Sequence, residues 1–256
     1  MILKGRMISK GCAEGNVLKF NRSISFLGDV NISTGKMEAE KVDIQDKILV
    51  FPYGRGSTVG SFVIYNLKVH GRAPVAIINS LAETIVATGA VISSIPMIDL
   101  VNTDLIMNGD YVIVNASEGV IEIKNVEMKD LISSIIAVDK SIILFKQPEW
   151  HDLYPKGWAL YTSDVKKNET LEHAAIRGIK EKFEENAQSF KKLPDSIMIR
   201  KGQTVWNVHF FIFYMERPIS SIKGKNIEYK PFRLDKTSNI DIDDKVLKVI
   251  RELSNL

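Results

Sequence analysis

The sequence predicts an α/β protein of two domains, and three observations carry that expectation. Strand and helix signals alternate through residues 1–124, with β-structure at both ends of the stretch. Residues 140–256 read instead as several strands around one amphipathic helix, an α+β pattern. Between them the composition changes: 12 of the 16 glycines precede residue 125, whereas Trp150, Trp158 and Trp206 all follow it. The expected domains are residues 1–126 and 138–256, and 256 residues at 45% apolar content suffice for two modest cores.

In the first half, "DKILVFP" is a short β-rich run. "TVGSFVIYNLKVHG" places Val59, Phe62, Val63 and Leu67 at helical spacing and stops at Gly71. His70 sits at that helix end, where it suits the dipole. "APVAIINS" is a second buried strand, and "AETIVATGAVISSIPMID" a short helix, a turn and a strand. Glu83 and Asp99 are polar residues at strand ends, suited to a cap or loop surface and available to a cleft. "GDYVIVNASEGVIEIK" is a hairpin turning near Ser117-Glu118-Gly119.

In the second half, "VEMKDLISSIIAVD" is open between a helical connector and a first strand. "SIILFKQ", "KGWALYTSDV" and "TVWNVHFFIFYM" read as strands. "TLEHAAIRGIKEKFEENAQSF" reads as a helix with Leu171, Ala174, Ala175, Ile179 and Phe183 on one face, and "DDKVLKVIREL" as a C-terminal helix.

The stretch with most chemical content is "VFPYGRGSTVGS". A strand runs into Gly54-Arg55-Gly56-Ser57-Thr58 and then into a helix. Gly54 and Gly56 permit positive φ and close approach, and Ser57 or Thr58 falls at the helix N-cap. Such a turn can hold an anion on free N–H groups with help from Arg55, carry a reactive hydroxyl, or merely cap a helix. It is neither a Walker loop nor a nucleophile elbow, because neither glycine pattern is met.

Net charge is +3, with 12 basic and 12 acidic residues before residue 125 and 22 against 19 after it. That near-balance gives no reason to invoke nucleic acid or a membrane surface. The lone cysteine, Cys12, can form no internal disulfide, cannot hold an iron–sulfur cluster, and is expected as a small buried residue. The start lacks the apolar core of a signal peptide and no apolar run reaches spanning length, so a cytoplasmic protein is expected.

The stretches "LKGRMISKGCAEGNVL", "SFLGDVNISTG", "DKILVFPYGRGSTVGSFVIYNL", "APVAIINSLAETIVATGAVISSIPMID" and "NGDYVIVNASEGVIEI" resemble, in order, the small subunit or swivel domain of the aconitase X family. The resemblance implies an aconitase-type swivelling β/β/α domain and a hydro-lyase subunit. Archaeal members with a separate small subunit resemble phosphomevalonate dehydratase, which converts mevalonate 5-phosphate to trans-anhydromevalonate 5-phosphate in the mevalonate pathway; bacterial members include hydroxyproline dehydratases. In the family the first serine of the turn is the proton acceptor, which maps to Ser57, and most substrate contacts lie on a separate large subunit. From the anion-holding chemistry of the turn, Gly54, Arg55, Gly56 and Thr58 are the substrate contacts expected on this chain. The resemblance also implies a heterodimer, with a 4Fe–4S cluster and its cysteine ligands on a separate large subunit and none on this chain.

The strand, the loop with Glu169 and the helix "AAIRGIKEKFEE" resemble a Nudix box, Gly-x5-Glu-x7-Arg-Glu-apolar-x-Glu-Glu-x-Gly-apolar. Glu169, Arg177, Ile179 and Glu181 match it. Ser163, Gly178, Lys182 and Glu184 depart from it, and two of these replace metal-holding glutamates. The expectation is a Nudix-like domain without the usual hydrolase site. The competing function is a non-catalytic regulatory or ligand-binding protein whose second domain binds a nucleotide or phosphate.

Overall fold

The computed structural model describes residues 1–138, 141–146, 157–183, 189–215 and 228–233. The chain divides into two compact units, Met1–Glu127 and Met128–Leu256. The first begins with β1 (Ile2–Lys4), β2 (Arg6–Ser9), β3 (Cys12–Lys19), a one-turn helix α1 (Phe26–Asp29) and a small ribbon of β4 (Val30–Asn31) and β5 (Lys36–Met37). It continues with β6 (Ile48–Phe51), α2 (Val59–Val69), β7 (Ala76–Asn79), α3 (Thr84–Ile92), β8 (Met97–Asp99), β9 (Tyr111–Asn115) and β10 (Val120–Ile123).

Eight of these strands form one sheet in the order β1-β10-β9-β3-β6-β7-β8-β2. Its middle is parallel, with Val17 opposite Ile48, Ile48 opposite Ala76 and Ile77 opposite Met97. The flanking strands are antiparallel. β6 and β7 are buried along their whole length, as central parallel strands covered on both faces must be. β1 and β2 stand at opposite ends of the sheet order, yet only Gly5 separates them in sequence. The sheet therefore curls until its two ends meet at that residue. A Cβ on Gly5 would lie 2.4 Å from the Asp99 carbonyl oxygen, so no side chain fits there.

α2 buries Gly60, Ser61, Val63, Ile64 and Leu67. Each large aliphatic side chain among these contributes about 1.5–3 kcal/mol on burial. Val59 and Phe62, expected on the packed face, are instead 48% and 63% exposed. Close approach at Gly60 decides the face: a Cβ there would sit 2.9 Å from Ile85 Cγ2 of α3. The β9–β10 hairpin turns through Ala116–Glu118 into Gly119, whose φ of +67° requires glycine-like freedom. Cys12 is exposed rather than buried. The first half of β3 alternates exposed and half-buried residues, and Cys12 falls on the exposed side.

The second unit contains β11 (Glu127–Val138), β12 (Ser141–Lys146), β13 (Trp158–Ala159), β14 (Tyr161–Asp164), α4 (Leu171–Lys182), β15 (Ser189–Lys201), β16 (Thr204–Met215) and β17 (Tyr229–Arg233). The sheet order is β13-β12-β11-β16-β15, with β14 also on β11 and β17 also on β12. The segment left open between helix and strand is thus strand β11. Its side chains alternate between two cores: Leu131 and Ile135 meet Val208, Phe210 and Phe232, while Ile132 and Ile136 meet Ala174, Ala175, Ile179 and Phe183.

α4 is shorter than expected. It stops at Lys182, where Phe183 turns extended (φ −112°, ψ 149°) but keeps its buried place against the sheet. Ser189 and Phe190, expected in the helix, begin β15. Trp150, Glu184 and the expected helix at 243–253 lie outside the described residues. Among those described, no helix is long and apolar enough to cross a membrane.

Candidate active site

β6 delivers the chain at Phe51 into the turn from Gly54 to Thr58, and α2 begins at Val59. Both glycines of the turn are required, for different reasons. A Cβ on Gly54 would lie 2.4 Å from buried Val86 Cγ2 and 3.2 Å from Glu83 Oε1. Gly56 has φ +111°, and a Cβ there would lie 2.7 Å from Ser25 Oγ. Between them, the Arg55 N–H donates to the Ile24 carbonyl at 2.9 Å, and Gly54 forms a parallel bridge with Ile24.

The Arg55 guanidinium is 54% exposed and touches Asp29 Oδ2 at 3.4 Å, its one ion pair among the described residues. Asp29 also accepts from the Ser25 N–H at 2.8 Å and from Arg22 at 3.0 Å. Burial alone would raise the Asp29 carboxyl, but the Ser25 N–H, Arg22 and Arg55 outweigh it and hold the group below its ordinary value. Asp29 is therefore a fixed anion, and Arg55 keeps further N–H donors open to a ligand.

Ser57 is exposed, and its Oγ accepts one long hydrogen bond, 3.4 Å, from the Val59 N–H. Thr58 occupies the N-cap position with helical backbone (φ −53°, ψ −24°), and its side chain makes no capping bond. A hydroxyl cap needs an extended N-cap residue, so the expected cap is weak at Ser57 and absent at Thr58. The result is an exposed hydroxyl at a sparsely capped helix start, two residues after an exposed cation, an arrangement able to hold an anion and stabilise a developing alkoxide.

The other polar candidates of this unit serve the scaffold. Glu83 caps α3 by accepting from Ile85 and Val86 N–H at 2.8 and 3.1 Å. Asp99 is fully buried and bidentate with Arg6 at 2.9 and 2.7 Å, and it also accepts the Ala82 N–H. Burial pushes its carboxyl up, yet Arg6 and the Ala82 N–H hold it below the ordinary value. His70 Nδ1 lies 2.7 Å from the Asn66 carbonyl at the end of α2. Sequence reasoning missed Ser25 and Asp29. The available signal was Ser25 four residues before Asp29, an N-cap serine whose own N–H is answered by a carboxylate one turn on.

In the second unit, Arg177 is bidentate to Glu169 at 2.8 and 2.9 Å and also donates to the Asp164 carbonyl at 2.7 Å and Glu181 at 3.1 Å. Arg177 first, then the Lys166 N–H, hold the Glu169 carboxyl down to about 2. Glu169, Arg177 and Glu181, with His173, Ile176 and Lys180, line an open depression. The departures at Ser163 and Gly178 face one another. A Cβ on Gly178 would lie 2.5 Å from Ser163 Oγ, so the glutamate that the Nudix pattern places there has no room. Burial lowers the Lys182 ammonium. Among the described residues no group of three or more His, Cys, Asp or Glu side chains could hold a metal ion.

The family model of the aconitase X swivel domain matches residues 2–123. The phosphomevalonate dehydratase small subunit of Methanosarcina acetivorans is 53% identical over 129 residues, 47% of this chain and 90% of that protein. Aconitase X of Thermococcus kodakaraensis, solved in its holo form, is 52% identical over 48% of this chain and 98% of that one, with a TM-score of 0.47. The MutT NUDIX hydrolase of Burkholderia pseudomallei is similar at 16% identity over 50% of this chain and 98% of that one, with a TM-score of 0.42. The 53% identity to a relative covered over 90% of its length, with the model match over residues 2–123 where the two glycines, Arg55 and Ser57 all lie, places this chain in the aconitase X swivel-domain family.

Proposed function

We propose that this chain is the small subunit of a hydro-lyase that dehydrates mevalonate 5-phosphate to trans-anhydromevalonate 5-phosphate, with Ser57 as the base. The observation that carries the reading is the exposed Ser57 hydroxyl at the start of α2, two residues after exposed Arg55, in a unit 53% identical to a phosphomevalonate dehydratase small subunit. Ser57 Oγ, as alkoxide, takes the proton alpha to the substrate carboxylate. The Val59 N–H and the helix start stabilise its charge. The open donors of Arg55 bind one of the substrate's anionic groups, and Gly54, Gly56 and Thr58 let it approach the backbone.

A single cysteine is too small a thiolate set for a 4Fe–4S cluster, so a large subunit holds it. When bound there, the cluster supplies the Lewis acid for the departing hydroxyl. The chain is thus active only as a heterodimer, in the cytoplasm, and the swivel domain comprises residues 1–126. The domain at 138–256 is a Nudix-like unit without hydrolase chemistry, a reading supported by the packed Ser163–Gly178 contact and by an Arg177 already committed to protein acceptors. If that domain alone carries the function, the protein is a nucleotide- or phosphate-binding regulator. The test is co-expression with an aconitase X large subunit and assay of the purified complex for water loss from mevalonate 5-phosphate. A stable complex without turnover would refute the enzymatic reading.

A further inference from the structure

We propose that Ser25 is a positioning residue for the Ser57 loop, acting through Gly56; the inference rests on Ser57 being the base. Ser25 sits in a turn whose backbone is fixed on every side. Its N–H donates to Asp29 Oδ2 at 2.8 Å, and its carbonyl accepts from the Gly28 and Asp29 N–H groups at 3.0 and 2.7 Å. Ile24, just before it, is fully buried and bridges Gly54: the Ile24 N–H donates to the Tyr53 carbonyl at 3.3 Å, and the Ile24 carbonyl accepts the Arg55 N–H at 2.9 Å. Turn and loop are one hydrogen-bonded unit as far as Arg55. Past that point no backbone bond joins Gly56 or Ser57 to the turn among the described residues. There the Ser25 side chain takes over, with its Oγ 2.7 Å from where a Gly56 Cβ would stand.

The Ser25 hydroxyl does little else. It accepts a long bond, 3.4 Å, from the Gly28 N–H, which the Ser25 carbonyl already accepts at 3.0 Å. Its proton meets no acceptor among the described residues, although Ser25 is only 9% exposed. Gly56 is the joint of the loop, since a glycine at φ +111° has a wide range of alternatives. Contact with Ser25 removes those alternatives and fixes the direction in which the next residue, Ser57, leaves the turn. Without it, fewer molecules hold Ser57 Oγ beside the helix start. The loss then falls on kcat, while Arg55, anchored by its own N–H, keeps KM nearly constant.

The test compares Ser25→Ala, Ser25→Thr, Ser57→Ala and the Ser25→Ala/Ser57→Ala pair in the assembled complex. Ser25→Ala should lower kcat about 10- to 100-fold with KM within about twofold, and Ser25→Thr, which keeps the oxygen, should restore most of it. Added to Ser57→Ala, it should cost nothing further, because its effect runs only through Ser57. Independently of activity, backbone amide order parameters measured by NMR on this chain alone should fall at Gly56 and Ser57 in Ser25→Ala. Full kcat in Ser25→Ala beside a dead Ser57→Ala overturns the positioning role and spares the base. An active Ser57→Ala overturns both, and so does a complex without turnover. An undiminished Ser25 effect in the Ser57→Ala background, or unchanged order parameters at Gly56 and Ser57, also overturns the positioning role.

Discussion

Replacing Ser57 with alanine separates chemistry from stability unusually well. A positioned general base contributes about 10²–10⁴-fold, or roughly 2.7–5.4 kcal/mol of barrier at 1.36 kcal/mol per decade. The stability cost is smaller. Loss of an N-cap hydroxyl typically costs about 1 kcal/mol, and the Ser57 bond to the Val59 N–H is long at 3.4 Å, so this loss lies below that figure. Against a domain stability of about 5–15 kcal/mol, the variant stays folded, with a melting shift of less than roughly 4–8 °C. The assay is kcat at saturating mevalonate 5-phosphate for the complex, with assembly followed by size exclusion and folding by thermal melting. Assembly should be intact and turnover reduced to between about 1% and 0.01%. Near-normal kcat in a correctly assembled Ser57→Ala complex would return the turn to a capped helix and nothing more.

Arg55→Ala should raise KM about tenfold or more while kcat stays within a few-fold, because a side-chain anion contact is lost and the base remains; a kcat loss matching that of Ser57→Ala would refute the division of roles. The chain without a large subunit should show neither the visible absorption of a cluster nor turnover, and either property in the purified chain would overturn the two-subunit reading. Glu169 titrates near 2 when folded against an ordinary 4.5, so its stabilisation is complete above about pH 4.5 and fades as pH falls toward 2. Thermal melts of wild type and Glu169→Gln should therefore differ most above that window and converge below it; a gap independent of pH would remove the Arg177 pairing as its cause. Gly178→Glu should destabilise the second unit by about 1–3 kcal/mol in denaturant unfolding, with partial recovery on adding Ser163→Gly. Magnesium-dependent hydrolysis of nucleoside diphosphate compounds should be absent in the wild-type chain, and robust turnover that disappears in Glu181→Gln would reinstate a metal site.

The strand–turn–helix course through Gly54-Arg55-Gly56-Ser57 was legible because each step is local. An apolar run, two glycines and a hydroxyl pair define it within a dozen residues. Which face of α2 is buried was not legible. The helix carries apolar residues nearly all round, and the choice is made by Ile85 pressing on Gly60 from another helix. Ser25 and Asp29 escaped for a similar reason: their partners, Gly56 and Arg55, are distant in sequence and the helix between them is a single turn. Ser189 and Phe190 of β15 were read as helix because the helical pattern runs on past Phe183, and the rest of the strand, which holds Pro194, drew no reading. The strand accommodates that proline at an edge position, where the register shifts between Lys192 and Ser196. Glu169 and Arg177 were found through their match to the Nudix pattern, but the contact between Ser163 and Gly178 needed coordinates.

The meeting of the sheet's two ends at Gly5 also sets a timetable for synthesis. Ile2 pairs with Glu122, and Arg6 with Asp99, so both strands on either side of Gly5 wait for partners made near the close of the unit. At about 5–20 residues per second, the ribosome needs roughly 6–24 s to reach those partners. Through that interval β1 and β2 lack their sheet partners, and the unit cannot complete its fold on the ribosome before β10 emerges. A cut or a bulky insertion at Gly5 would unzip both ends together.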